Sequence, residues 1–418
     1  MTPDGWSLRR LDDLVRSMIA GVSVNSEARP ALQGELGVLK TSAVTTGIFK
    51  PDENKAIRPD EVHRAKAALK GNTVLVSRMN TASLVAASVF VPEDYPSLML
   101  PDRIWMLEPH ATVDARWLHT FLSSPAIRAK LSAMATGTSG SMKNLSKERF
   151  LSLEVLVPPL HRQREIAEIL SSLDDLISAS IAVIDQLRLL RSANLQALTS
   201  GAPIPGTEFN RTPFGFVPAS WNLVPFGGVV ERVRAPVKVG PHQKYREIGV
   251  RSHGRGVFHK EEVKGSDLGS KRVFWVQPGC LVFNIVFAWE GAVASTSDAE
   301  VRMIASHRFP MFRPREGIAD VAFLRSLFQT RRGIALLGMF SPGGAGRNKT
   351  LNQSSLRALD VPLPPLADQR KLTAAVNGIE EHLHMENDHL EALHQLRIAL
   401  SDALLTGKLD SPHADRAA

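Results

Sequence analysis

Leu156-Val157-Pro158-Pro159-Leu160-His161-Arg162-Gln163-Arg164 and Pro362-Leu363-Pro364-Pro365-Leu366-Ala367-Asp368-Gln369-Arg370 are two writings of one motif. They share Pro-Pro-Leu and Gln-Arg at an offset of 206 positions. The offset continues downstream without a gap. Leu187 meets Leu393, Arg191 meets Arg397, Ala197-Leu198 meets Ala403-Leu404, and Gly201 meets Gly407. Upstream, Lys143 meets Lys349, Leu145 meets Leu351, Leu153 meets Leu359 and Val155 meets Val361. Further back the match loosens, and Trp6-Ser7-Leu8 meets Trp221-Asn222-Leu223 only after a shift of several residues. This period is far too long for a solenoid. The chain is a duplicated two-part module, each half with a variable front and a well-kept back.

Each back part reads as a long helix. The Pro-Pro pairs end a strand and fix the start of the helix, and Gly201 and Gly407 stand where a C-terminal cap is expected. Between them apolar residues alternate at three and four. One stripe runs Ile166, Leu170, Leu173, Ile177, Ser180, Ile184, Leu187, Arg191, Asn194, Leu198. The other runs Leu372, Val376, Ile379, Leu383, Glu386, Leu390, Leu393, Arg397, Leu400, Leu404. Ser180 aligns with Glu386 and Arg191 with Arg397, so the polar interruptions partly coincide. Two such seams in one chain predict an antiparallel coiled coil.

The front parts read as mixed α/β. Thr73-Val74-Leu75-Val76-Ser77 and Cys280-Leu281-Val282-Phe283 are apolar strands after Gly-led turns. Trp117–Leu122 and Phe323–Phe328 read as corresponding short helices. The Gly- and Pro-rich segment Gly201–Pro218 is the linker between halves. The predicted fold is therefore two α/β domains alternating with two paired long helices, in a pseudo-two-fold internal repeat.

The 418-residue chain carries a formal net charge of +8, with a pI near 9.7. A basic surplus favours an anionic partner, nucleic acid first. The single cysteine, Cys280, excludes an internal disulfide and a cysteine-clip metal site. It sits in an apolar strand and reads as a buried small hydrophobe. No apolar run approaches the ~18 residues of a membrane span, and the N-terminus lacks a signal pattern. The chain is expected to stay in the cytoplasm.

Motifs for chemistry fail on spacing. In Gly343-Gly344-Ala345-Gly346-Arg347-Asn348-Lys349-Thr350, Arg347 and Asn348 separate glycine from the lysine that a phosphate loop needs beside it. Asp52-Glu53-Asn54-Lys55 is too compressed to set two carboxylates and a lysine round one metal. No methyltransferase motif with a polar residue, Pro-Pro and an aromatic is present, and no histidine pair has metal-ligand spacing beside a Glu. No catalytic residue and no metal ligand is assigned.

What remains points to DNA. The Gly-rich stretches ending each front part put Lys143-Asn144 and Arg347-Asn348-Lys349 on loops whose backbone can approach a phosphate. Arg78 and Asn80 follow one strand and Asn284 follows its counterpart. Arg and Asn are the usual bidentate readers of guanine and adenine edges. Arg251 and Arg255 lie in a basic stretch interleaved with aromatic and histidine residues.

The repeated Pro-Pro-Leu strand ends, each followed by Gln-Arg, and the closing Ala403-Leu404-Leu405-Thr406-Gly407-Lys408-Leu409 give the chain a family likeness. Over its full length it resembles the specificity subunits of type I restriction-modification systems, agents of phage defence. The family's common acidic residue before the glutamine is Asp368 in the second copy, but Arg162 in the first. The resemblance implies a target-recognition domain over 1–157, a conserved helix over 158–201, a linker and second recognition domain over 202–363, a second helix over 364–408, and a flexible tail over 409–418. It implies a non-catalytic reader of a bipartite target in double-stranded DNA. Two methyltransferase subunits and motor-nuclease restriction subunits would be its partners. S-adenosylmethionine, ATP and Mg would belong to those partners, and none to this chain. The alternatives are a specificity subunit of a related methylation-based defence system, or a fused methyltransferase or nuclease.

Overall fold

The computed structural model describes residues 3–139, 142–200, 208–343 and 349–409. Gly201, the linker through 207, Arg347, Asn348 and the tail from 410 lie outside the described residues. The chain divides into two compact units, Met1–Ile181 with His389–Ala418, and Ala182–Asp388. The division runs through both long helices, not at their ends, because each front domain takes its own share of both helices into its packing.

In the first unit the strands Val15–Ala20, Ile104–Pro109, Thr73–Ser77 and Ser88–Val91 lie side by side in that order, all antiparallel. A second sheet orders Asn54–Ala56, Gly37–Leu39, Tyr95–Met99 and Ala68–Leu69, with its middle pair parallel. Ser7–Arg10 pairs with Glu154–Val157, tying the start of the domain to the strand that feeds the first long helix. The short helix Ala115–Ser123 starts where the Asp114 carboxylate accepts the Arg116 and Trp117 N–H groups. Pro125 opens the next helix, Pro125–Met134. The core joins Leu11, Leu14, Val74, Leu107, Trp117 and Phe150 to Ile166 and Leu170 of the first long helix and Leu404 and Leu405 of the second.

The second unit repeats this plan. Val230–Val233, Met311–Pro314, Leu281–Phe283 and Val293–Ser295 form the antiparallel sheet. Val257–Lys264, Lys244–Val250, Ile304–Ser306 and Val273–Trp275 form the other, again with a parallel middle pair. Asn222–Pro225 pairs with Asp360–Leu363. The 206-residue offset carries Ala115–Ser123 onto Val321–Gln329 and Glu154–Val157 onto Asp360–Leu363. The first strand of each domain needs an offset of 215, from Ser7 to Asn222. The extra residues of the first half therefore fall between its first strands and the strand at Thr73. The core here is aromatic. Phe226 meets Phe283, Phe312 and Phe328 edge-on, with ring centroids 5.3–6.3 Å apart.

The long helices are Leu160–Ser200 and Leu366–Leu405. In the first unit Leu173 and Ile177 pack on Leu390, Leu393 and Leu400. In the second unit Leu195 and Leu198 pack on Leu372 and Val376. The beginning of one helix thus meets the end of the other in each unit, as an antiparallel coiled coil requires. Every position of both expected stripes is buried or half-buried, including Ile184, Leu187, Ile379 and Leu383. The second helix ends as read, with Gly407 at φ +69° and the Lys408 N–H donating to the Ala403 carbonyl at 2.9 Å.

The repeated glutamine explains the motif. The Gln163 Oε1 accepts the Asp114 N–H at 2.8 Å, and its Nε2 donates to the carbonyls of Thr112 (3.2 Å) and Pro158 (2.9 Å). The Gln369 Oε1 accepts the Asp320 N–H at 2.8 Å, and its Nε2 donates to Ile318 (2.9 Å) and Pro364 (2.8 Å). Every partner obeys the 206 offset. Each buried amide clamps the first turn of a long helix to the N-cap of a short one.

Candidate nucleic-acid interface

In the first unit, four of the residues singled out from sequence come together. The strand Met142–Asn144 pairs with Met79–Asn80, setting Lys143 opposite Asn80 and Asn144 opposite Met79. The Leu145 N–H donates to the Arg78 carbonyl at 2.9 Å. The Arg78 guanidinium lies over the Trp105 ring, 5.7 Å from its centroid. Arg78 and Asn144 line a hollow of about 390 Å³ with Met18, Ala20, Trp105, Lys147 and Glu148. Among the described residues the Arg78 Nε and the Asn144 Oδ1 are buried there without a hydrogen-bond partner. The Lys143 ammonium donates to the Gly137 carbonyl at 3.3 Å on the surface.

In the second unit Arg251, Arg255 and Asn284 line a larger hollow, about 600 Å³, with Lys260, Lys271, His307, Arg308, Phe258 and Phe287. Arg251 lies over Phe258 at 5.1 Å. Glu247 faces both lysines, at 3.5 Å from Lys260 and 3.6 Å from Lys271. Lys349 is not in this lining. Its ammonium sits 4.6 Å from the centroid of the Trp289 ring. Arg347 and Asn348 fall outside the described residues. Nearby, the Arg232 guanidinium is pushed below its usual range by desolvation and by Arg234 and Arg357, the mark of a cationic cluster.

Two sequence expectations change in detail. Asn80 and Asn284 are not free amide forks. The Asn80 Oδ1 accepts the Thr81 N–H at 2.9 Å, and the Asn284 Oδ1 accepts the Val286 N–H at 3.2 Å. The Asn284 bond closes a local Asx turn, and in both residues the bond to backbone fixes the orientation of the amide. Sequence reasoning also missed Arg308, His307 and Phe287. Arg308 joins the site because its carbonyl accepts the Ile285 N–H at 3.0 Å, a pairing that no local pattern announces. Among the described residues no group of His, Cys, Asp and Glu could hold a metal ion, and no helix is long and apolar enough to cross a membrane.

Comparison with known proteins finds one recurring likeness. Residues 3–187 match the family described as "Type I restriction modification DNA specificity domain". The chain is 19% identical over 416 residues to a putative type I restriction enzyme MjaX specificity subunit of Methanocaldococcus jannaschii, covering 97% of this chain and 94% of that protein. It is 27% identical over 190 residues to the EcoEI specificity subunit of Escherichia coli, covering 44% of this chain and 30% of that one. Its fold resembles the type I S subunit from M. genitalium, with a TM-score of 0.59 at 14% identity over 96% of both chains. It also resembles a chain solved in work on assembly and conformational transition of the type I R-M system. There the TM-score is 0.55 at 16% identity, over 98% of this chain and 100% of that one.

Proposed function

We propose that the chain is a specificity subunit of a type I restriction-modification system, and that each of its units reads one short block of a bipartite target in double-stranded DNA. The observation that carries this is the duplication of one complete α/β frame. The two frames share sheet order and a parallel middle pair, but line their hollows differently. A shared frame with different linings suits two readers of two different blocks. The chain itself supplies recognition, while S-adenosylmethionine, ATP and Mg serve the partner subunits. The assembly works in the cytoplasm on chromosomal and invading DNA.

Two methyltransferase subunits and the motor-nuclease subunits are the proposed partners. One feature of the first long helix supports a protein partner on the helices. In the second unit Val183 and Leu190, seven residues apart, are 40% and 50% exposed. The buried seam lies elsewhere on the same helix, so these apolar side chains are open to a partner helix.

The decisive experiment mixes the purified chain with its methyltransferase partner, S-adenosylmethionine and genomic DNA. Adenine methylation should appear at one bipartite sequence with the partner, and not with the chain alone. Methyl transfer by the chain alone would contradict the assignment.

Lys143 provides a second test. Its ammonium is on the surface and, among the described residues, bonded to a carbonyl, so it is suited to a phosphate and not to a base edge. Lys143→Gln should weaken binding to every duplex alike and flatten the salt dependence by about one charge. A changed sequence preference with the salt slope intact would show that this loop reads bases.

A further inference from the structure

Five arginine and lysine side chains, Arg251, Arg255, Lys260, Lys271 and Arg308, line the hollow of the second unit, and their partners sort them. Lys260 and Lys271 face the Glu247 carboxylate. The Arg251 guanidinium lies over the Phe258 ring, and the Arg255 Nε donates to the Ser252 carbonyl at 3.3 Å. Arg308 differs. Among the described residues no hydrogen bond or ion pair holds its guanidinium, and the side chain is exposed at the rim of the hollow. Its backbone, by contrast, is pinned on both sides. Its carbonyl accepts from Ile285 at 3.0 Å and its N–H donates to the Ser306 Oγ at 3.4 Å. A fixed backbone carrying an unengaged fork is the arrangement a reading residue needs.

Asn284 stands beside it, since Ile285 is the next residue. The bond from the Val286 N–H to the Asn284 Oδ1 fixes that amide beside the arginine. The Arg308 guanidinium presents donors alone, and the Asn284 Nδ2 adds donors next to it. In the major groove guanine shows two acceptors, N7 and O6, whereas adenine and cytosine each show a donor, and thymine pairs its acceptor with a methyl group. We propose that Arg308, with the amide of Asn284 beside it, reads a guanine in the block of the target taken by the second unit. The inference rests on the reading of the chain as a DNA-specificity subunit. At the 206 offset Arg308 becomes Asp102 and Asn284 becomes Arg78. The first unit cannot repeat this contact, so the requirement belongs to one block only.

The test uses the full chain expressed with its methyltransferase partner, with N6-methyladenine mapped across the host genome for wild type, Arg308→Ala and Arg308→Lys. Both variants should relax one guanine in one block and leave the other block unchanged. Discrimination at that position should fall on the order of tenfold to a hundredfold. Arg308→Lys matters because lysine keeps the charge and loses the fork. If Arg308→Lys keeps the wild-type motif while Arg308→Ala lowers methylation at all sites equally, Arg308 is a phosphate contact and the proposal fails. Relaxation at a base other than guanine, or an unaltered motif in both variants, also overturns it. A wild-type complex that gives no bipartite motif would instead overturn the function on which the proposal rests.

Discussion

Replacing Gln369 with leucine should destabilise the second unit by about 3 kcal/mol or more, and Gln163→Leu should do the same to the first. Both side chains are buried, at 0% and 1% exposure. Each satisfies three backbone groups, one N–H and two carbonyls. Leucine fills a similar volume but satisfies none of them. Each buried polar group stripped of its partner costs about 1–3 kcal/mol, and the bonds to the Pro158 and Pro364 carbonyls are fully buried, while the other two of each set are partly buried. The loss also frees the N-cap of the adjoining short helix, because the Asp320 N–H is held by Gln369 while its carboxylate caps Phe323. A protein of two units need not unfold in one step. Urea unfolding should therefore show each variant shifting the transition of its own unit and leaving the other in place. A shift worth less than about 1 kcal/mol would show that the glutamines are not the clamp.

The glutamines were legible in sequence as a repeated letter, but not as a clamp. Two of the three partners of each lie about fifty residues upstream, in stretches without a motif of their own. The long helices were readable in full, because a heptad stripe is a local pattern repeated many times. The front domains were not. Their strands run only two to eight residues, and Ile104–Pro109 must insert between Val15–Ala20 and Thr73–Ser77 to make the sheet. Neither short length nor distant pairing leaves a periodic trace. The same limit governed the interface. Arg78 and Lys143 could each be suspected from local context, but only the pairing of Met79–Asn80 with Met142–Asn144 joins them. Asn284 could be named as a reader, but the turn that fixes its amide is a matter of geometry.

The seam arginines lead to the final expectation. Arg191 and Arg397 read as polar interruptions of the stripes, and their partners sit off the stripes. The Arg191 guanidinium binds the Glu380 Oε1 at 2.9 Å through Nε and 2.7 Å through Nη2, and also reaches Gln329. Arg325 takes the other Glu380 oxygen at 2.6 Å and Asn377 at 2.9 Å. In the first unit Arg397 holds Asp174 with bonds of 2.5 and 3.1 Å, the same pair at the 206 offset. There the place of Arg325 is taken by His119. Desolvation pushes its pKa down to about 4 against the pull of Asp174, so it is neutral at pH 7. Glu380 therefore balances two guanidinium groups, both 17% exposed, whereas Asp174, 49% exposed, balances one. Glu380→Ala leaves two cations facing each other with little water. Breaking a buried pair costs about 3–5 kcal/mol, and this partly solvated site should fall near the lower end. Asp174→Ala removes a well-hydrated partner and should cost about 1 kcal/mol or less. Adding Arg191→Met to Glu380→Ala should restore part of the loss, because the repulsion disappears with the second charge. Urea unfolding of the three variants gives the comparison. Equal losses for Glu380→Ala and Asp174→Ala, or no recovery in the double variant, would mean that helix packing alone sets the register and the ion pairs merely decorate it.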